Sequence, residues 1–128
     1  MGQGEPTPPT VLLVEDDPSI RQLVRINLEM AGFGVVEARD GLEGLLMADL
    51  HQPVAIVLDL MMPDVDGARM LAQLRGLPGG RDVPVVVITG KADVGEDVHR
   101  MAGPGNVLAK PFDPDDLVAR IRQVAGLS

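Results

Sequence analysis

The chain has no cysteine, no tryptophan and no tyrosine, and only two phenylalanines among 128 residues. Without cysteine there is no disulfide, no thiolate-ligated zinc and no thiol nucleophile. Basic side chains are also scarce: 11 Lys and Arg stand against 19 Asp and Glu, a formal net charge of −8. Phosphate-backbone and anionic-membrane affinity is carried by clustered Lys and Arg, so neither direct nucleic-acid contact nor a membrane-surface role is expected. No apolar run nears the ~18 residues of a membrane span. The opening MGQGEPTPPT lacks the basic and apolar regions of a signal peptide, so a cytoplasmic location is expected.

What is present is globular. With 45% hydrophobic and 23% charged residues, the chain is too apolar for disorder, and one domain of this length buries roughly two-thirds of its unfolded surface. Residues 1–10 hold three prolines and two glycines and read as a flexible N-terminal tail, leaving 11–128 as the domain. From Val11 onward, short β-like runs alternate with helical patterns. Val11-Leu12-Leu13-Val14 is uniformly apolar, as a strand buried on both faces should be. Asp17 then caps a helix with Pro18 at its first position and Ile20, Leu23, Val24, Asn27 and Leu28 on one stripe, stopped by Gly32. A second strand spans Gly34–Ala38, and Asp40 caps a helix carrying Leu42, Leu45, Leu46 and Leu50. Ala55-Ile56-Val57-Leu58 forms the third strand, and Asp66 opens a helix with Met70, Leu71 and Leu74 inward. Val85-Val86-Val87-Ile88 is the fourth strand. Residues 92–102 make a poor helix with Gly95 inside and Val94, Val98 and Met101 as its stripe. Val107-Leu108-Ala109 is the fifth strand, and Asp113-Pro114 starts a helix with Leu117, Val118, Ile121 and Val124 facing the core.

Five alternating β and α units imply an α/β fold, a parallel sheet covered on both faces. The choice lies between a flavodoxin-like (βα)5 doubly wound sheet, strand order 2-1-3-4-5, and a half-Rossmann fragment. In either, ligands bind beyond the carboxyl ends of the strands. Four of the five strands end there in a reactive polar residue: Glu15 and Asp16, Asp59, Thr89 and Lys110. In the 2-1-3-4-5 order these ends converge, and three carboxylates in one crevice call for a compensating cation. An all-oxygen set suits Mg²⁺, with Mn²⁺ the other ion such a set accepts. A carboxylate, a divalent ion, a hydroxyl and a lysine are the parts that transfer and stabilise a phosphoryl group. Any one of these residues alone is more often a solvated loop residue or a helix cap; their order along the chain is what raises them above that reading.

The motifs Val11-Leu12-Leu13-Val14-Glu15-Asp16-Asp17, Val57-Leu58-Asp59-Leu60-Met61-Met62-Pro63-Asp64-Val65-Asp66-Gly67, Val86-Val87-Ile88-Thr89-Gly90 and Lys110-Pro111-Phe112 resemble those of two-component response regulator receiver domains, of the single-domain chemotaxis-regulator type. The resemblance covers residues 11–125. It implies that Asp59 accepts a phosphoryl group from the phosphohistidine of a sensor histidine kinase or histidine phosphotransfer protein. It implies that Asp16, Asp59 and the Met61 backbone carbonyl hold Mg²⁺, with Glu15 acting through a water. Lys110 would pair with phosphoryl oxygens, Thr89 would turn to meet them, and Gly90 would leave them room to reach its N–H. Met61 and Lys91 would flank the line of water attack and tune dephosphorylation. Such a domain assists its own phosphorylation and dephosphorylation without being an enzyme in the ordinary sense. Its output passes to a protein partner through the fourth helix, fifth strand and fifth helix, whose exposed residues include Arg120 and Arg122, and the same face serves a phosphorylation-dependent homodimer.

Two departures from the family pattern stand out. Val107 occupies the position where the family usually has a switching Tyr or Phe, so an ordinary strand residue and a signal carried by loop and helix shifts are expected. The glycine- and proline-rich 101–106 segment predicts a shortened or mobile fourth helix. His51 and His99 read as surface residues, and the seven methionines as core filler. Of the competing functions, a haloacid-dehalogenase-like phosphatase would use Asp64-Val65-Asp66-Gly67. That motif should directly follow an apolar strand and here follows Pro63 and a loop. Dinucleotide and P-loop motifs are missing. A stand-alone regulator is modestly preferred over the receiver half of a DNA-binding regulator.

Overall fold

The computed structural model describes residues 7–62, 67–90 and 93–127. Its elements alternate as β1 (Thr10–Val14), α1 (Pro18–Met30), β2 (Gly34–Ala38), α2 (Gly41–His51), β3 (Ala55–Asp59), α3 (Gly67–Arg75), a 3-10 turn (Pro78–Gly80), β4 (Val85–Thr89), α4 (Glu96–Ala102), β5 (Val107–Ala109) and α5 (Pro114–Val124). The five strands form one parallel sheet in the order β2-β1-β3-β4-β5, the flavodoxin-like arrangement. The winding reverses between β1 and β3.

Alternation along the strands divides the core into two layers. Leu12, Val14, Ile56, Leu58, Val85 and Val87 face one way, toward Met70, Leu71, Leu74 and Val98 of α3 and α4. Val11, Leu13, Val57, Val86 and Ile88 face the other way, toward Val24 and Leu28 of α1 and Leu117 and Ile121 of α5. The helix starts follow the sequence signals. Asp17 accepts from Ser19 N at 2.8 Å, Asp40 from Glu43 N at 2.8 Å and Asp113 from Asp115 N at 2.9 Å, with Pro18 and Pro114 in the first turns. The expected cap Asp66 lies outside the described residues.

Several expectations are corrected. β1 begins at Thr10: Gly34 N donates to the Pro9 carbonyl and Val54 N to the Thr10 carbonyl, both at 2.9 Å, so the end of the expected tail is tied to the sheet. A proline has no N–H to give, but its carbonyl still accepts. Leu23 is exposed, on the outer side of α1. Gly95 is not inside α4 but caps it at φ 86°, and Gly103 ends it at φ 97°. Glycine tolerates both conformations and a helical residue adopts neither. α4 is therefore the short helix that the glycines predicted. The methionines divide: Met62 and Met70 are buried, Met30 and Met61 exposed. Arg122 does not lie free on an output face. Its guanidinium donates to the Ala31 carbonyl at 2.8 Å and lies 5.8 Å from the centre of the Phe33 ring, tying α5 to the end of α1. Arg120 is half-buried, its guanidinium near Gly105.

Candidate functional site

The reversal in strand order brings the ends of β1 and β3 together. Val14 and Leu58 are in register, so Glu15 and Asp59 stand level at the carboxyl edge of the sheet. Thr89 pairs with Ala109 across β4 and β5, and Lys110 N donates to the Thr89 carbonyl at 2.7 Å, which sets the lysine beside that edge. Glu15, Asp59 and Thr89 are buried, and Asp16 is half-buried. The Lys110 ammonium lies 3.2 Å from Asp59 Oδ1 and 3.4 Å from Glu15 Oε1. Glu15 Oε2 accepts from Asp17 N at 3.1 Å, and Asp59 Oδ1 from Met61 N at 3.0 Å.

Among the described residues, the Lys110 ammonium is the cation set against a site where one carboxylate oxygen each of Glu15, Asp16 and Asp59 lies within 4.8 Å of the others. Burial first, and then the hydrogen bond and repulsion from Asp59, push the Glu15 carboxyl up to about 8, with the Asp17 N–H and Lys110 acting the other way. A carboxyl raised so far marks a place where a cation would be welcome. The all-oxygen, partly open donor set fits a hard divalent ion.

Of the remaining sequence-predicted residues, Met61 stands at the rim, 53% exposed. A Cβ added at Gly90 would meet nothing within 4 Å, so packing does not require glycine there. Val107 is half-buried against the α3 and α4 side of the core, opposite Val87. Lys91 and the Asp64-Val65-Asp66 motif lie outside the described residues.

Two supporting residues escaped the sequence reading. Arg21 donates from Nη1 to the Glu15 carbonyl at 3.0 Å while its Nε stands 3.5 Å from Glu37, fixing the turn after β1. A Cβ on Gly67 would come within 2.6 Å of the Asp59 carbonyl oxygen and 2.7 Å of Leu60 Cα, so α3 starts hard against the strand end that bears Asp59. A glycine after an aspartate reads as a turn; only the packing shows this close approach.

Known proteins agree with this geometry. The family model for the response regulator receiver domain matches residues 11–122, and the chain belongs to that family: it is a receiver domain of the two-component type. It is 41% identical over 115 residues to the DNA-binding dual master transcriptional regulator RpaA of Synechocystis, covering 89% of this chain and 48% of that protein. It is 42% identical over 113 residues to the response regulator MprA of Mycobacterium tuberculosis, covering 88% and 48%. The chain thus spans about half the length of these curated relatives. Among solved structures, the receiver domain of a Pseudomonas aeruginosa sensor histidine kinase, with a magnesium ion coordinated in its active site cleft, superposes with a TM-score of 0.83 at 29% identity, covering 93% and 98% of the two chains. The Vibrio cholerae chemotaxis protein CheY4 superposes at 0.82 with 30% identity, covering 91% and 98%.

Proposed function

We propose that the chain is a phospho-accepting switch: Asp59 takes a phosphoryl group from the phosphohistidine of a sensor histidine kinase or histidine phosphotransfer protein. The observation that carries this reading is the buried Asp59 carboxylate, set 3.2 Å from the Lys110 ammonium and clustered with two further carboxylates at the strand-order reversal. An Asp59 carboxylate oxygen attacks phosphorus, a new P–O bond forms, the donor's P–N bond breaks, and the imidazole leaves with the electron pair. Lys110, already in contact with Asp59, is placed to neutralise the oxygens of the arriving group. Thr89, at the neighbouring strand end, supplies a hydroxyl to them, and Gly90 leaves its N–H accessible. Asp16, Asp59 and the Met61 carbonyl would hold Mg²⁺ or Mn²⁺, with Glu15 acting through a water. The bound ion supplies neutralisation of charge on the transferring group. The protein's contribution is positioning and charge, with little covalent work beyond the nucleophile.

The solved relative with magnesium in its cleft supports the metal assignment. RpaA, by its name, binds DNA, which favours the receiver half of a DNA-binding regulator over a stand-alone one. Direct DNA contact is not assigned to this acidic domain, and a cytoplasmic location fits the kinase partner. Output would run through α4, β5 and α5, including a phosphorylation-dependent homodimer there. With Val107 in place of a ring, it would travel by movement of α4 and its flanking loops.

Incubation with acetyl phosphate and Mg²⁺, followed by intact-mass measurement, tests the reading. The expected outcome is one base-labile phosphoryl group per chain, abolished by Asp59→Asn. Turnover of many equivalents with no adduct would instead support a phosphatase.

A further inference from the structure

Helix α2 turns its small residues inward. Gly41, Gly44 and Ala48 are buried, while Leu42, Leu46 and Leu50 are 64%, 60% and 70% exposed. The packing explains the inversion: a Cβ on Gly44 would come within 3.0 Å of Val14 Cγ2 and 3.1 Å of Met70 Cε, so the helix rides close to β1 and α3 and leaves no room there for a leucine. The leucines, four residues apart, form one ridge along the outer face. Beside the ridge, between α2 and the end of α3, opens a cavity of about 520 Å³ lined by Leu45, Asp49, Gln52, Leu74, Leu77 and Pro78 among others.

We infer that this ridge is an interface between two copies of the chain, an antiparallel α2 pair on a two-fold axis through Leu46. The spacing is its own complement. Reversing the helix about Leu46 exchanges Leu42 with Leu50, so each copy offers the other the same three knobs. Around the helix, Leu42, Leu45 and Asp49 lie to one side of Leu46, and Leu50 and Glu43 to the other. The cavity is on the Leu42 side, toward the C-terminal end of α2. The two-fold carries Leu42 of the second copy to that side and that level, over the cavity mouth.

The charges agree with the antiparallel sense. The exposed Arg39, just before α2 and 4.0 Å from Glu43 of its own chain, falls beside the C-terminal end of the second copy's helix, where Asp49 and the last carbonyls are negative. Glu43 and Asp49 of the second copy stand level but on opposite flanks of the ridge, so the acids do not meet. One short helix and one groove rim make a contact at the low end of interface sizes, below roughly 1,200 Å² in total, so association depends on protein concentration. The face is separate from Asp59 and from α4, β5 and α5, and its use does not require phosphorylation.

The absence of native cysteine makes the test direct. Sedimentation velocity of the unphosphorylated chain across a concentration series should show a monomer–dimer equilibrium, weakened more than about tenfold by Leu46→Glu. That variant should keep the melting temperature and the Asp59 phosphorylation of the parent. A Leu46→Cys variant, whose residue lies on the two-fold, should oxidise to a disulfide dimer, whereas Met30→Cys, on α1 and more exposed still, should not. A monomer at every concentration would overturn the inference and leave the ridge to a different protein. A dimer indifferent to Leu46→Glu, or equal cross-linking at both cysteines, would overturn it in favour of another face.

Discussion

At the scale of single residues, the site's behaviour follows from one buried carboxyl held up to about 8. A divalent ion competes with the Glu15 proton, so Mg²⁺ affinity should rise from pH 6 to pH 8 and binding should release protons, which calorimetry in buffers of different ionisation enthalpy detects. With no tryptophan to report binding, thermal shift or NMR must replace intrinsic fluorescence. On the proposed reading, Met61, half-exposed at the rim with its N–H on Asp59, would shade the acyl phosphate from water. Met61→Asn should speed loss of the Asp59 phosphoryl group several-fold; an unchanged decay rate would remove Met61 from that role. Gly67→Ala pushes a methyl against the Asp59 carbonyl and should cost about 1–3 kcal/mol in a denaturant titration, with phosphorylation slowed as the strand end shifts.

At the scale of elements, α4 is the shortest α-helix among the described residues. It has seven residues between Gly95 and Gly103, both at positive φ. Arg75 on α3 holds its far end: the guanidinium donates to the carbonyls of Met101 at 3.0 Å, Gly80 at 3.0 Å and Val83 at 2.6 Å. Arg75→Ala strips these acceptors of their donor and should cost about 1–3 kcal/mol. Hydrogen exchange should then quicken in α4 and in residues 78–83 before it does elsewhere. The sequence placed all five strands to within a residue, because β-branched runs ending in acids or turns leave little choice of period or boundary. It also placed the caps Asp17, Asp40 and Asp113. It misjudged what depends on neighbours. Leu23 faces solvent because Val24 and Leu28, with the half-buried Ile20, fill the α1 contact, and Gly95 leaves the helix because its φ suits a cap. Leu42, Leu46 and Leu50 of α2 are outward because the inner face at Gly44 lies too close to Val14 and Met70 to hold a leucine. Apolar pattern cannot rank a glycine above a leucine for the inner face. The partners of Arg21 and Arg122 are likewise set by tertiary distance.

At the scale of the whole molecule, the net charge of −8 is partly a feature of the site, concentrated where the sheet reverses its winding. Glu15 binds its proton more tightly folded than unfolded, so between its ordinary value of 4.5 and about 8 the folded state carries the extra proton. Metal-free stability should therefore fall as pH rises across that window, and Mg²⁺ should raise the melting temperature more at pH 8 than at pH 6. Glu15→Gln, which cannot ionise, should flatten the metal-free pH dependence. The central claim is that Asp59 is the residue that carries the phosphoryl group. Its most direct test is peptide mapping after phosphorylation with acetyl phosphate and Mg²⁺ and reduction with borohydride, which converts an aspartyl phosphate to homoserine. The account predicts homoserine at position 59 and at no other aspartate; conversion at Asp16 or Asp64, or at none, would contradict it.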